Sequence, residues 1–153
     1  MSTNAELYEQ DFYAWTQTTA KLIRAGKWDD LDREVLAEEV ESLGRSEKRE
    51  LEHRLEVLVM HLLKWCYQPA HRELSHSWYD TIREQRSQLA RLLRDNPSLR
   101  PQVPAFLAAG YPEARQRAIG ETRLYAAHCP DTCPWTAVQV LATEFWPDGE
   151  LAP

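Results

Sequence analysis

Apolar positions along the chain recur at the spacing of an α-helix, and no stretch alternates apolar and polar residues as a half-buried strand does. The first pattern predicts a helix that starts after Asn4 as N-cap and ends at Gly26. Its inner face is formed by Tyr8, Phe12, Trp15, Thr19, Leu22 and Ile23. After a turn, a very acidic second helix is predicted on the stripe Leu36, Val40 and Leu43. Gly44 either ends this helix or kinks it.

The strongest helical pattern lies in the middle of the chain. Ser46 is the predicted N-cap of a third helix that runs to about Tyr67, and Pro69 closes it. Its apolar stripe consists of Leu51, Leu55, Leu58, Leu62, Trp65 and Cys66. A fourth helix is predicted from Glu73 to Arg94. Its stripe consists of Leu74, Trp78, Ile82, Leu89, Leu92 and Leu93, with Gln85 among them.

Prolines restrict the last third of the chain to short helices, predicted at 102–109 and 113–125. A loop is expected from His128 to Pro134, followed by a helix from Pro134 to Ala142 with Thr132 or Cys133 as cap. Phe145 and Trp146 are expected to pack back as an apolar clasp. The predicted fold is therefore all-α, an antiparallel helical bundle with additional short C-terminal helices, in a single domain over residues 1–153.

Composition limits the classes of function. A chain of 153 residues with 43% apolar residues can build a core without a metal or disulfide, so no cofactor is expected. The net charge of −6 argues against DNA binding. Acidic residues outnumber basic ones 14 to 8 over residues 1–56, whereas basic residues lead 7 to 4 over residues 57–100. This segregation favours a protein partner or a homodimer.

The sequence predicts a cytoplasmic protein without a membrane segment. The amino terminus has neither a basic start nor an apolar export segment. The longest apolar stretch, Val57 to Trp65, contains His61 and Lys64 and is far shorter than the ~20 residues that span a bilayer. Three cysteines, an odd number, are expected to be reduced.

Nine short segments give the chain a specific resemblance. They are Tyr8–Trp15, Leu36–Glu39, Leu43–Leu51, His61–Trp65, Tyr67–Pro69, Ser77–Trp78, Ile82–Arg86, Asn96–Arg100 and Cys133–Trp135. In this order they resemble the bacterial helical family catalogued as domain of unknown function twenty-nine. The resemblance implies an all-helical bacterial domain of about this length and no particular activity. Pro112, Gly120 and Cys129 depart from the family pattern, and the first two predict an interruption of any long helix between Pro101 and Tyr125.

Arg54 and His61 are the candidates for catalysis. They lie seven residues apart, about two helical turns, and therefore on one face. This spacing resembles the motif of small helical bacterial nucleases of the HEPN superfamily, which implies metal-free RNA cleavage, with Lys64 as a further phosphate contact. A structural alternative stays open, in which Arg54 pairs with Glu50 and His61 bonds to a neighbour.

Two sets of residues have the composition of a metal site. His128, Cys129 and Cys133 carry suitable ligand atoms, but their spacing is not that of common structural zinc sites. Glu50 and His53 have the spacing used in di-iron bundles, but no second such pair occurs in the chain. We therefore expect no metal.

Aromatic side chains suggest an interaction surface instead. Trp65, Tyr67, Trp78 and Tyr79 flank one turn, and residues of these types anchor protein interfaces. Gln85, predicted to be buried, is expected to bond across the bundle to His61 or to a loop carbonyl. The leading hypothesis is a non-enzymatic helical protein-interaction module, self-associating or with another protein partner. The ribonuclease is the alternative, and RNA is a partner only in that case.

Overall fold

The computed structural model describes residues 3–72, 76–123 and 126–148. These ranges contain six α-helices, four short 3-10 helices and no strand, so the fold is all-α as predicted. The contacts divide the chain into two compact units, Met1–Ser46 and Glu47–Pro153, hereafter the N-terminal and the C-terminal unit. The antiparallel order of the helices and the single domain stay predictions. None of the described helices combines the length and hydrophobicity needed to cross a bilayer.

Two helices, α1 (Asn4–Gln10) and α2 (Phe12–Arg24), stand where one helix was predicted. The break is at Asp11, whose backbone is extended and whose carboxylate accepts a hydrogen bond from the N–H of Ala14 at 2.9 Å. Asp11 therefore ends α1 and caps α2, a role that its side chain suits. The sequence prediction was wrong here because the apolar stripe continues through the break.

The predicted N-cap was also wrong, since Thr3 caps α1 through a capping box with Glu6. Asn4 has a different role inside the N-terminal unit. Its side-chain oxygen accepts a hydrogen bond from the indole N–H of Trp15 at 3.2 Å, and its amide donates to Thr19 at 3.1 Å. Trp15 and Thr19 are the buried residues of this unit in the part that the structure describes.

Helix α3 (Arg33–Tyr67) is continuous, although the sequence predicts an end or kink at Gly44 and a new start at Ser46. A glycine costs a helix interior about 1 kcal/mol relative to alanine. Strong helix formers on both sides of Gly44 outweigh this cost, so the glycine does not end the helix. The N-terminal part of α3 belongs to the N-terminal unit and the rest to the C-terminal unit.

Helix α4 (His76–Asp95) follows, and the predicted start at Glu73 lies outside the described residues. Helix α5 (Val103–Thr122) passes through Pro112, where two short helices were predicted. It is continuous because one face is buried at helical spacing, and that packing outweighs the hydrogen bond lost at Pro112. The predicted end at Tyr125 also lies outside the described residues.

The last helix, α6 (Ala137–Leu141), is shorter than predicted. Its cap is Thr136 and not Thr132 or Cys133, because Thr136 and Gln139 form a capping box. The core of the C-terminal unit is made by side chains from α3 to α6, among them Leu51, Leu55, Leu58, Leu62, Ile82, Leu89, Leu93, Leu107, Ala114 and Val140.

Candidate functional site

Arg54 lies on α3 and has two partners. Its Nε donates to the carboxylate of Glu50 at 2.8 Å, and its Nη1 donates to the side-chain oxygen of Gln85 at 3.2 Å. Gln85 is half-buried on α4 and therefore bonds across the C-terminal unit, to Arg54 and not to His61. This arrangement matches the structural alternative that the sequence leaves open for Arg54.

His61 and Lys64 also have partners inside the C-terminal unit. The Nδ1–H of the half-buried His61 donates to the backbone carbonyl of Val57 at 2.8 Å, since a carbonyl can only accept. Lys64, 5% exposed, pairs with Glu121 of α5. With all three side chains engaged, no contact favours the ribonuclease hypothesis. It stays a prediction that RNA-cleavage assays of Arg54→Ala and His61→Ala can test.

Burial lowers the pKa of His61 below the 6.5 of a free imidazole. As the pH falls, the unfolded chain therefore takes up this proton before the folded one does. The stability that the neutral His61 contributes is complete above pH 6.5 and is lost as the pH falls through the folded pKa. We expect His61→Gln to lose less stability between about pH 8 and about pH 5 than the wild type, measured by urea unfolding.

The control is His53→Gln, which changes an exposed histidine of the same helix. Its loss of stability between the two pH values is expected to equal that of the wild type. An equal loss in all three proteins would show that His61 does not contribute to the pH dependence of stability.

An aromatic cluster forms in the C-terminal unit from Trp65, Tyr79 and Trp146. The rings of Tyr79 and Trp146 stack with centroids 4.9 Å apart and planes 12° apart, and the centroids of Trp65 and Trp146 lie 4.8 Å apart. Two of the four aromatic residues singled out from the sequence, Trp65 and Tyr79, are thus together. Trp78 instead lies 6.3 Å from the ring of His71. Burial raises the pKa of Tyr67 to about 12.

Three arginines lie over the rings of the aromatic cluster. The guanidinium carbon of Arg72 is 4.9 Å from the centroid of the Trp65 ring. That of Arg83 is 5.6 Å from Tyr79, and that of Arg86 is 5.4 Å from Trp146. These distances fall within the range of cation–π attraction. The cluster therefore combines aromatic rings with guanidinium groups.

Arg86 is the least exposed of these arginines, at 2%. Its Nε donates to the carbonyl of Val140 at 2.9 Å, but neither Nη1 nor Nη2 has a hydrogen-bond partner among the described residues. Burial lowers the pKa of Arg86, yet a guanidinium stays protonated in proteins. An uncompensated buried charge destabilises a fold by several kcal/mol.

The other arginines of the C-terminal unit show what Arg86 lacks. Each of the half-buried ones forms an ion pair with a carboxylate: Arg54 with Glu50, Arg72 with Asp148, Arg115 with Asp131, and Arg117 with Glu56. Within the described residues no carboxylate forms such a pair with Arg86. Among the buried and half-buried arginines that the structure describes in this unit, the most buried one, Arg86, is therefore the one without a counterion.

A pocket of ≈ 320 Å³ lies against Arg86, a volume in the range of small-molecule sites. We name it the arginine pocket. Its walls come from one face of α4 and from the segment after α6, and include Tyr79, Arg83, Arg86, Ser87, Thr143 and Trp146. The sequence contains a signal for it, because Arg86 falls at helical spacing between the buried Ile82 and Leu89.

The cysteine loop has a structural arrangement. The Sγ of Cys133 donates to the carbonyl of Trp135 at 3.4 Å, and burial raises the pKa of the Cys129 and Cys133 thiols. In the described ranges no three His, Cys, Asp or Glu side chains lie close enough to hold a metal ion. Beside this loop, α5 and the start of α6 border an apolar groove of ≈ 650 Å³.

The N-terminal unit has an exposed apolar face on α3, formed by Leu36, Val40 and Leu43. Leu36 is half-buried, whereas Val40 is 60% and Leu43 is 70% exposed. The sequence predicts these residues as the apolar stripe of the second helix. The unit also carries ten acidic against five basic side chains, and the C-terminal unit carries 14 against 13. Nearly all of the net charge of −6 therefore belongs to the N-terminal unit.

These features define the class of the protein, an all-α protein with two helical units and without a recognisable catalytic constellation among its described residues. The chain belongs to the family described as domain of unknown function DUF29, whose model matches residues 7–146. The family resemblance of its sequence segments is thus confirmed. No curated protein and no solved structure matches the chain.

Proposed function

We propose that the protein is a non-enzymatic helical interaction module whose N-terminal unit binds a basic amphipathic helix of a partner protein. The observation that carries the proposal is the exposure of Val40 and Leu43 at helical spacing. Apolar side chains exposed singly are common on protein surfaces. A row of them along one face of a helix is instead typical of surfaces that bind another helix.

The same face continues along α3. At ~100° per residue, Val40 and Leu43 share a face with Leu58, which is 0% exposed in the C-terminal unit. Between Leu43 and Leu58, however, Glu47 and Arg54 stand on this face, so Leu36, Val40 and Leu43 form an apolar patch of their own. A helix docked on this patch would bury the exposed Val40 and Leu43.

Charge identifies the kind of helix. Glu39 borders the apolar face of α3, about 70° from its centre, whereas Glu34, Glu38 and Glu41 lie more than about 130° away, toward the far side of the helix. Because the N-terminal unit has twice as many acidic as basic side chains, a partner with lysine or arginine beside its apolar stripe is attracted and an acidic one is repelled. A second copy that docks through the same face would bring the same acidic unit and is the less favoured occupant.

The test uses two model peptides with leucine at helical spacing, one with lysine and one with glutamate at the polar positions. We expect the lysine peptide to bind, and the glutamate peptide to bind at least about tenfold more weakly, by isothermal titration calorimetry. Leu43→Asp and Val40→Asp should abolish binding. Val138→Asp, at a residue that is 80% exposed in the C-terminal unit, is the matched control and should bind normally.

Two results would overturn the proposal. The first is binding of the lysine peptide that Leu43→Asp and Val138→Asp affect equally, because the peptide would then bind through nonspecific charge attraction and not through the apolar face. The second is a dimer in sedimentation equilibrium that Leu43→Asp dissociates, which would assign the apolar face to a second copy.

We also propose a cytoplasmic location. It is supported by the three cysteines Cys66, Cys129 and Cys133, all of which are free thiols. Free, partly buried thiols are usual in the reducing cytosol, whereas exported small domains tend to pair them.

A further inference from the structure

We propose that the arginine pocket binds the oxyanion of a small molecule, a carboxylate or a phosphate attached to a flat apolar group. The site lies in the C-terminal unit and does not depend on the helix-binding face of the N-terminal unit. It is therefore a second binding function, and its test is independent of the test of helix binding.

The first argument is the unsatisfied guanidinium. Arg86 is 2% exposed, its Nη1 and Nη2 have no hydrogen-bond partner in the described ranges, and it forms no ion pair there. Buried polar groups are nearly always hydrogen-bonded, so an exception requires an explanation. Two adjacent guanidinium nitrogens match the two oxygens of a carboxylate or phosphate. An oxyanion in the pocket would supply both the missing bonds and the missing charge.

The second argument is the surplus of positive charge around the pocket. Arg83 lies one turn before Arg86 on the same wall and is exposed. No carboxylate is among the described residues that line the pocket. Two guanidinium groups in such a lining leave the pocket positive, which favours an anion.

The third argument concerns the rest of the ligand. Tyr79 and Trp146 contribute their stacked rings to the pocket wall, where a flat apolar group can stack in the same way. A bare ion would leave this wall unused. The pocket therefore favours an aromatic carboxylate or phosphate over acetate or inorganic phosphate.

Trp146 also governs access to the guanidinium. Nη1 and Nη2 of Arg86 are closed to water, and the ring of Trp146 lies over this group. Trp146 follows α6 in a segment without helix, whereas Arg86 is held within α4. Because the ligand would lie against both the guanidinium and this ring, binding is expected to change the fluorescence of Trp146.

The experiment titrates the full chain with benzoate and phenyl phosphate, and with acetate and inorganic phosphate as ring-free probes, by isothermal titration calorimetry. We expect at least one ring-bearing probe to bind more tightly than its ring-free counterpart. The better of the two tells whether the natural oxyanion is a carboxylate or a phosphate. Arg86→Met should abolish binding, and Arg83→Met should weaken it by about tenfold or more. Arg91→Met, at an exposed arginine of α4, is the control and should leave the affinity unchanged.

Tryptophan fluorescence gives an independent readout. The binding probe should change the fluorescence of the wild type, and Trp146→Phe should remove that change while keeping a ring in the wall. The proposal is overturned if no probe binds at concentrations up to about 10 mM, because a dissociation constant above that value is too weak for a specific site. Binding that persists unchanged in both Arg86→Met and Arg83→Met would also overturn it. Because Arg83 is exposed, Arg83→Met is expected to fold and stays informative even if Arg86→Met does not fold.

Discussion

Leu58→Ala is expected to destabilise the protein by about 2–5 kcal/mol, whereas Leu43→Ala should change the free energy of unfolding by less than about 0.5 kcal/mol. Both leucines lie in α3. Leu58 is 0% exposed within the core of the C-terminal unit, so its truncation removes apolar contacts and leaves a cavity. Leu43 is 70% exposed and leaves no cavity.

Because the substitution and the helix are the same, the change in helix propensity is equal in the two variants and cancels in the comparison. Urea unfolding followed by circular dichroism gives both free energies. A loss of more than about 1.5 kcal/mol in Leu43→Ala would show that Leu43 packs against something in solution. Repeating the measurement at several protein concentrations would then show whether a second copy provides that packing.

Arg86→Met is expected to raise the stability of the ligand-free protein by about 1–4 kcal/mol, an uncommon direction for a buried substitution. Methionine fills a similar volume and removes an unpaired buried charge. The substitution also removes the hydrogen bond from the charged guanidinium Nε to the carbonyl of Val140, which offsets part of the gain. Thermal unfolding without added anions measures the net effect.

The matched control is Arg117→Met, which takes a half-buried guanidinium away from the carboxylate of Glu56. That variant is expected to be destabilised, because a half-buried carboxylate loses its partner. If Arg86→Met is destabilised to the same extent, the bond to Val140 and the ring of Trp146 already satisfy Arg86. The argument for an anion in the arginine pocket would then lose its main support.

The sequence was sufficient for the class of the fold and for the leucine-rich stripes of α3 and α4, because buried stripes at helical spacing are a direct consequence of packing. It did not predict the buried face of α5. It was not sufficient for helix boundaries. Asp11 divides the first stripe although the apolar pattern continues, and Gly44 and Pro112 lie inside helices although both residues disfavour them. The capping carboxylate of Asp11, the helix formers around Gly44 and the buried face of α5 decided these three outcomes.

The candidate site was predicted only in part. Trp65 and Tyr79 were singled out as aromatic residues, but Trp146, which contacts both, lies 81 and 67 residues further along the chain, so these contacts have no local signal. Arg86 did have a local sequence signal, since its position between Ile82 and Leu89 places it on the buried face of α4. What no pattern shows is the absence of a counterion, which depends on every element packed around the guanidinium.

The small number of buried side chains in the N-terminal unit has a consequence for its motions. With Trp15 and Thr19 as its buried residues in the described ranges, the unit has little apolar contact to hold its helices closed. Its amides are therefore expected to exchange with solvent hydrogen through local opening, well before the amides of the leucine-rich part of α3. The exposed apolar face thus belongs to the unit that opens most easily. A partner helix that binds this face is expected to slow the hydrogen exchange of the N-terminal unit, because binding would stabilise its folded state.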